Sequence, residues 1–190
     1  MLAPSRAIAA HSGFRVDLNL WDADADASPD DEVSHGHISW RAGDEYDRQI
    51  QAPIKGRYGQ ATVAYVVMSD AVEARVEVVL VNGDGESPAD IYGKISVSSK
   101  FVQRDLFYKE STDYIGVYPG NAIKLSRAIL AVPKDDRLRV HADLVDHDSD
   151  ASSNDQVAKG YADFHPKVSG KDSATIRGEY GEIRVTVTWS

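Results

Sequence analysis

The feature that most constrains the fold of this chain is an internal repeat. The segment that begins at Arg15, RVDLNLWDADADASPDDEVSHGHISW, aligns without gaps with RVHADLVDHDSDASSNDQVAKGYADF, which begins at Arg139. A second block, GRYGQATVAYVVMS from Gly56, resembles GEYGEIRVTVTWS from Gly178. Because a repeat is one supersecondary unit that buries its apolar face against its neighbours, we expect an array of related units.

A fainter copy lies between these two. It begins at Arg75 and reads RVEVVLVNGDGESPADIYGKISV, with the same opening and the same aliphatic–Gly ending but a shorter loop. The segment NAIKLSRAILAVP, from Asn121, is predicted to be its closing strand. The sequence therefore predicts three units of about 60 residues each. We place a loose N-terminus at 1–13 and the three units at 14–70, 71–133 and 134–190.

Alternation of apolar and polar residues predicts that the repeats consist of strands. Apolar side chains occupy every second position from Val16 to Leu20 and again from Ile183 to Trp189, which places them on one face of a strand. We find no convincing amphipathic helix pattern. A unit of three strands cannot easily cover its own apolar face, so we predict one all-β domain over 14–190, an antiparallel β-sandwich of about 8 to 10 strands.

Charge and composition exclude several functional classes. The formal net charge of −9 disfavours a basic face for nucleic acid and docking on an anionic membrane. The chain has no cysteine, so it has neither disulfides nor a thiol nucleophile. It also lacks the Gly-x-Ser-x-Gly, phosphate-loop and His-Glu-x-x-His motifs. We therefore predict that it is not an enzyme.

Two loops concentrate carboxylates at alternate positions. Calcium takes about six to eight oxygen ligands, and crowded carboxylates repel one another unless a cation lies among them. Neither loop contains Lys or Arg. We therefore predict two calcium sites, the alternative being solvated acidic turns without a metal. The predicted ligands are Asp22, Asp24, Asp26, Asp30 and Asp31 in one loop, and Asp146, Asp148, Asp150, Asn154 and Asp155 in the other.

The spacing of these loops is not that of an EF-hand. If Asp22 is position one, position six is Ala27 instead of Gly and position twelve is Val33 instead of Glu. The other loop departs in the same way, at Ala151 and Val157. Flanking strands also conflict with a helix–loop–helix arrangement.

Two further polar features are predicted not to bind a metal. The middle loop, residues 82–86, has less charge and two glycines, which favours a plain hairpin turn. His35 and His37 could bind zinc from one strand face, but no third ligand is evident. The equivalent positions in the third unit are Lys159 and Tyr161, so we predict exposed strand residues here.

The acidic loops resemble the calcium-binding loop of C2 domains. In that pattern a strand ends in an aromatic or aliphatic residue, followed by Asp-x-Asp, a polar spacer, Asn/Asp–Asp and an aliphatic–Gly pair. The pattern occurs here from Leu20 to Gly36 and from Leu144 to Gly160, with longer spacers. The resemblance implies calcium held at one end of a β-sandwich. It implies as ligands Asp22, Asp24 and Asp31, and likewise Asp146, Asp148 and Asp155, with Asp26 and Asp150 additional.

The segment from Phe101 to Tyr118 interrupts the repeat and places aromatic residues among charges. It is interpreted either as a long connection packed by its own aromatics or as a recognition loop for another protein. The wider region from Asp90 to Leu144 resembles an uncharacterised plant domain associated with ribosome-inactivating proteins. The predicted partner-contact residues are Phe107, Tyr108, Tyr114 and Tyr118.

Together these features predict a calcium-binding β-sandwich that serves as a non-catalytic binding or accessory module. One alternative is a metal-independent protein-interaction module that uses the aromatic segment 101–118. The other is calcium-dependent lipid binding of the C2 type, which ranks last because the loop tips hold Ala, Ser and Pro instead of bulky apolar residues. The sequence indicates no compartment, although weak calcium sites would favour an extracellular one.

Overall fold

Strands make up the regular structure of the chain, as the alternating pattern predicts. A computed structural model describes residues 8–23, 29–85, 87–148 and 154–190. Within these ranges no helix is long and apolar enough to cross a membrane. The described residues form 13 strands and no helix, where about 8 to 10 strands were expected. The strands are β1 (Gly13–Asp22), β2 (Asp31–Arg41), β3 (Gln49–Lys55), β4 (Gln60–Val66), β5 (Ala71–Gly83), β6 (Ala89–Ser99), β7 (Val102–Lys109), β8 (Ile115–Val117), β9 (Ile129–Pro133), β10 (Leu138–Asp146), β11 (Asp155–Phe164), β12 (Gly170–Arg177) and β13 (Gly181–Trp189).

The chain divides into two compact units. The smaller unit comprises Ala9–Ser69, and the larger unit includes Asp70–Ser190. This division falls beside the boundary that we predicted between the first and second repeats, at residue 70. The first repeat therefore forms a unit of its own, while the second and third repeats share the other. That all three repeats form one continuous sandwich over 14–190 stays a prediction, as does the loose terminus at 1–13, of which residues 1–7 lie outside the described ranges.

Two antiparallel sheets form the larger unit. One sheet has the order β12-β13-β5-β9, and the other has the order β11-β10-β6-β7 with β8 also paired to β6. Alternate apolar residues of both sheets point inward and form one hydrophobic core. The prediction of an all-β, antiparallel sandwich-like fold is thereby confirmed. Among the largest fully buried side chains are Leu80, Ile95, Leu138, Leu144 and Trp189.

The second repeat has a different topology from the third. β10 pairs with β11, whereas β5 and β6 belong to opposite sheets. The connection after β5 therefore crosses between the sheets, and the hairpin turn predicted for residues 82–86 is wrong. The reason is that strands of the third repeat, β13 and β10, take the neighbouring positions beside β5 and β6. Only Ile129–Pro133 of the predicted closing strand from Asn121 is a strand.

The aromatic segment is largely strand instead of irregular loop. The pairing of β6 with β7 shifts register between Ile95 and Ser96, which leaves Leu106 as an extra residue in β7. Both Leu106 and Phe107 are consequently buried, at 0% and 4% exposure. Phe107 belongs to the core, so its prediction as a partner contact is wrong. Three of the four predicted contact residues are exposed: Tyr108, Tyr114 and Tyr118.

The smaller unit consists of two hairpins, β1–β2 and β3–β4. The ring of Phe14 stacks on Trp40 with centroids 6.2 Å apart, and its edge meets Tyr65 at 5.2 Å. The Ser34 hydroxyl donates to the Ile54 carbonyl oxygen at 2.8 Å. These aromatic and hydrogen-bond contacts hold the hairpins together, because each hairpin alone has little apolar surface to bury.

The first and third repeats share backbone irregularities as well as residues. The register of β1–β2 shifts after Leu20, and that of β10–β11 shifts after the equivalent Leu144. Gly36 and Gly160, which are also equivalent, have φ angles of 146° and 140°. Such φ values are accessible mainly to glycine. The repeat in the sequence is therefore a structural repeat at the level of single residues.

We expect Leu144→Ala to destabilise the larger unit by about 2–5 kcal/mol, because Leu144 is fully buried between the two sheets. Urea unfolding followed by tryptophan fluorescence, with Trp189 in the same core, measures this change. Val168→Ala is the control, because Val168 is exposed and should change stability by no more than about 0.5 kcal/mol. Equal losses in the two variants would contradict the assignment of Leu144 to the core.

Candidate metal centre

Carboxylates from three connections of the larger unit come together near the start of β11. Asp155 is hydrogen bonded to Asp84, which follows β5. Its other electrostatic neighbours are Asp148, in the β10–β11 loop, and Glu179, in the β12–β13 turn. We call this set of four residues the acidic cluster. It joins side chains that are far apart in the sequence and that no single loop could supply.

Backbone and amide hydrogen bonds fix the three connections against one another. Asn82 Nδ2 donates to the Tyr180 carbonyl oxygen at 3.1 Å, and the Tyr180 N–H donates to the Gln156 carbonyl oxygen at 3.1 Å. The turn at Gly178 lies so close to β11 that a Cβ atom there would overlap the Gln156 carbonyl oxygen. Glycine is required at this position because the two backbones approach so closely.

Asp146 anchors the β10–β11 loop to β6. Its side chain is only 1% exposed, and Oδ1 accepts a hydrogen bond from the Asp90 N–H at 2.6 Å. The next residue, His147, donates its N–H to the Asp90 carbonyl oxygen at 2.9 Å. A buried carboxylate is stable only when hydrogen bonds satisfy it. The predicted ligand Asp146 thus has a clear role in positioning the loop.

The two residues after Asp146 have buried side-chain atoms that could form hydrogen bonds but form none with the described residues. Among the described residues, Asp148 Oδ2 and His147 Nδ1 are buried and have no hydrogen-bond partner. The Asp148 N–H donates to Asn154 Oδ1 at 3.1 Å, and Asn154 Nδ2 donates to the Tyr92 hydroxyl at 2.9 Å. These bonds join the two described ends of the β10–β11 connection, while within the described residues a carboxylate oxygen stays without a partner. Such an atom costs about 1–3 kcal/mol and more when it is charged.

The electrostatics of the acidic cluster favour a positive charge. The hydrogen bond with Asp84, together with burial and the charges of Asp84, Asp148 and Glu179, raises the pKa of Asp155 to about 6. The pKa of Tyr180 is also raised, first by the charge of Glu179 and by a hydrogen bond to it. Carboxylates this close cannot all ionise without cost, so a proton or another cation stabilises them.

The described residues that flank the first acidic loop are exposed. Asp22 and Asp31 are paired across the end of the β1–β2 hairpin, and both are exposed, as is Asp30. Three of the predicted ligands lie outside the described residues: Asp24, Asp26 and Asp150.

The described residues do not by themselves form a finished metal site. Within residues 8–23, 29–85, 87–148 and 154–190, no group of three or more His, Asp or Glu side chains is arranged to hold a metal ion. The calcium sites therefore stay a prediction. Of the ten predicted ligands, Asp148 and Asp155 are brought together with two residues that were not predicted.

Asp84 and Glu179 are the two members of the acidic cluster that sequence reasoning missed. Asp84 lies within the alternating acidic pattern of the middle loop, which aligns with the other two loops. That alignment indicates Asp84 as a candidate ligand, whereas the two glycines of the loop favoured a plain hairpin turn. Glu179 carries no such signal, because it lies in the turn before β13, and only the close packing at Gly178 brings it near β11.

The chain belongs to a family described as a domain of unknown function, DUF6598, whose model matches residues 1–187. No curated protein and no solved structure matches the chain. The family description assigns no activity, so the chemistry of the acidic cluster carries the functional inference.

We expect the contribution of Asp155 to the stability of the metal-free protein, measured as the difference between the wild type and Asp84→Asn, to fall as the pH rises from about 4 to about 6. The folded-state pKa of Asp155 is raised from 3.8 to about 6, so its favourable contact with Asp84 requires the proton. This contribution is fully present below pH 3.8 and is lost as the pH passes through about 6. Thermal unfolding in chelator across this range measures the effect.

Asp84→Asn should flatten that pH profile, because an amide can donate to the ionised Asp155 carboxylate. Asp31 is the residue of the first repeat that is equivalent to Asp155. The control variant Asp31→Asn leaves the Asp84–Asp155 contact intact and should keep the wild-type slope. An Asp84→Asn profile as steep as that of the wild type would show that this contact does not control the titration.

Proposed function

We propose that the chain is a calcium-binding β-sandwich that acts as a non-catalytic binding or accessory module, with its main site at the β10–β11 loop. The observation that carries the proposal is the convergence of Asp84, Asp148 and Asp155 from two separate loops. A calcium ion there would relieve their mutual repulsion and satisfy the buried Oδ2 of Asp148.

The chemistry of the donors favours calcium over softer metals. The acidic cluster offers carboxylate oxygens, and the chain has no cysteine for a thiolate site. Donors contributed by several loops suit calcium, which accepts irregular geometry and a variable number of oxygens. Magnesium requires near-octahedral geometry and keeps much of its water, so it should bind less well to the same loops.

Binding of calcium would also link the two sheets. Asp84 follows β5 in one sheet, and Asp155 begins β11 in the other. A shared ion would hold these ends together and make the loops rigid enough to serve as a contact surface. Because the first acidic loop carries the same residue pattern, we propose a second and weaker site at Asp22 and Asp31.

Calcium at about a hundredfold excess over its Kd should stabilise the protein by about 2.7 kcal/mol. For a chain of this size, that corresponds to a rise in Tm of about 5–10 °C, which differential scanning fluorimetry with calcium, magnesium and chelator measures. Asp155→Asn should remove most of the rise, because it removes a charge at the centre of the acidic cluster. Asp31→Asn, the matched change in the first repeat, should reduce the rise only slightly.

Two outcomes would overturn this proposal. The first is a Tm that is the same in calcium and in chelator while the wild-type protein is folded. The second is a calcium response that Asp155→Asn leaves intact. Isothermal titration calorimetry of calcium into both variants separates a loss of binding from a change in the stability of the metal-free protein.

A further inference from the structure

The outward face of the β1–β2 hairpin contains a shallow polar depression. Its volume is about 270 Å³, close to the lower limit of roughly 300 Å³ for ligand pockets. The side chains that line it come from alternate positions of both strands, so they share one face. The polar lining residues are Arg15, Asp17, Asn19, His35 and His37.

The equivalent face of the third repeat is closed by its own side chains. Arg139 reaches across to β11 and donates two hydrogen bonds to the Asp163 carboxylate, at 2.6 and 2.7 Å. The guanidinium also lies over the Tyr161 ring, 3.8 Å from its centroid. An arginine held both by a bidentate carboxylate and by an aromatic ring is not free to turn along its own strand.

In the first repeat, two substitutions open this face. Ser39 stands where the third repeat has Asp163, and His37 stands where it has Tyr161. Arg15 therefore turns along its own strand, and its Nε and Nη2 donate to Asp17 Oδ1 at 2.8 and 2.6 Å. The strand register is the same in both hairpins, so the different course of the two arginines is a consequence of side-chain identity.

An exposed indole is hydrogen bonded to Asn19, one of the residues that line the depression. Trp21 is 53% exposed, and its Nε1–H donates to Asn19 Oδ1 at 2.7 Å. The same amide oxygen lies 3.3 Å from Nδ1 of His35. Because the polar edge of the indole is already hydrogen bonded, the ring is fixed in orientation while its apolar face stays accessible.

We propose that this face of the smaller unit is a binding site for a neutral saccharide. A sugar presents hydroxyl groups that donate and accept hydrogen bonds, and also an apolar ring face. The lining supplies a carboxylate acceptor, a guanidinium donor and imidazole and amide groups, and Trp21 supplies a flat apolar platform.

The charge of the lining selects against other ligand classes. Arg15 is bonded to Asp17, so the guanidinium charge in the depression is compensated by a carboxylate. This disfavours phosphates and other anions, which require uncompensated cations. The polar groups of the lining disfavour a wholly apolar ligand, because they would lose water without gaining partners. The site is independent of the proposed calcium function, since none of its polar lining residues is a predicted calcium ligand.

The test is titration of the isotopically labelled full chain with short neutral oligosaccharides of the cello-, xylo-, manno- and galacto- series, monitored by amide NMR in chelator. We expect at least one series to bind and to shift the resonances of Arg15–Trp21 and His35–Ser39 selectively. Binding by none of the four series, or shifts confined to other strands, would overturn the proposal.

Variants provide a second, quantitative measurement on the series that binds. Trp21→Ala should weaken the affinity by about tenfold, in line with the loss of one aromatic contact. The double variant His37→Tyr, Ser39→Asp should weaken it at least as much, because it allows Arg15 to close the face as Arg139 does. Tyr161→Ala, on the equivalent face of the third repeat, should leave the affinity unchanged. If both Trp21→Ala and the double variant bind the saccharide with unchanged affinity, the binding site lies elsewhere. This conclusion holds even if the variants are less stable than the wild type.

Discussion

The antiparallel pairing of β13 with β5 and of β10 with β6 is the interaction on which the larger unit depends. Through it, the strands of the third repeat complete both sheets that the second repeat begins. The pairing satisfies the backbone groups of four central strands and places their apolar faces against one another. It also fixes which loops are neighbours, because the end of β5 comes to lie beside the turn that leads into β13.

The acidic cluster is a direct result of that pairing. Asn82 and Tyr180 are hydrogen bonded because β5 and β13 are adjacent, and this contact brings the middle loop toward the start of β11. Asp84 then meets Asp155, and the two carboxylates raise the energy of the metal-free state at neutral pH. Burial of Asp146 against β6 fixes the end of β10 while this repulsion persists. The sheet pairing thus supplies the stability that offsets the repulsion between the carboxylates of the acidic cluster.

The smaller unit shows how one backbone plan can serve different chemistry. Its β1–β2 hairpin has the same register shift and the same glycine conformation as β10–β11. The residues that flank its acidic loop, Asp22 and Asp31, are nevertheless exposed, and its outward face carries a depression. The difference in the outward face traces to single positions, since Ser39 and His37 replace an aspartate and a tyrosine. Two hairpins with the same backbone register therefore present different side chains.

Much of the fold could be predicted from the sequence, because strands with one buried face impose a period of two on their residues. The ungapped match of the segments from Arg15 and Arg139 extends to the register shift after Leu20 and Leu144. Burial of Phe107 could not be predicted, because it depends on an extra residue in β7 that breaks the alternation. The crossing after β5 could not be predicted either, since a loop with two glycines is equally compatible with a hairpin and with a passage between sheets.

The sequence by itself therefore determined the strand content, the repeat and the concentration of carboxylates in two loops. These are local properties, set by the order and type of neighbouring residues. Only the tertiary structure decided that Asp148 and Asp155 meet Asp84 and Glu179, while Asp22 and Asp31 stay exposed. The physical reason is that electrostatic contact depends on distance in space, and that distance follows from which strands pair across the sheets.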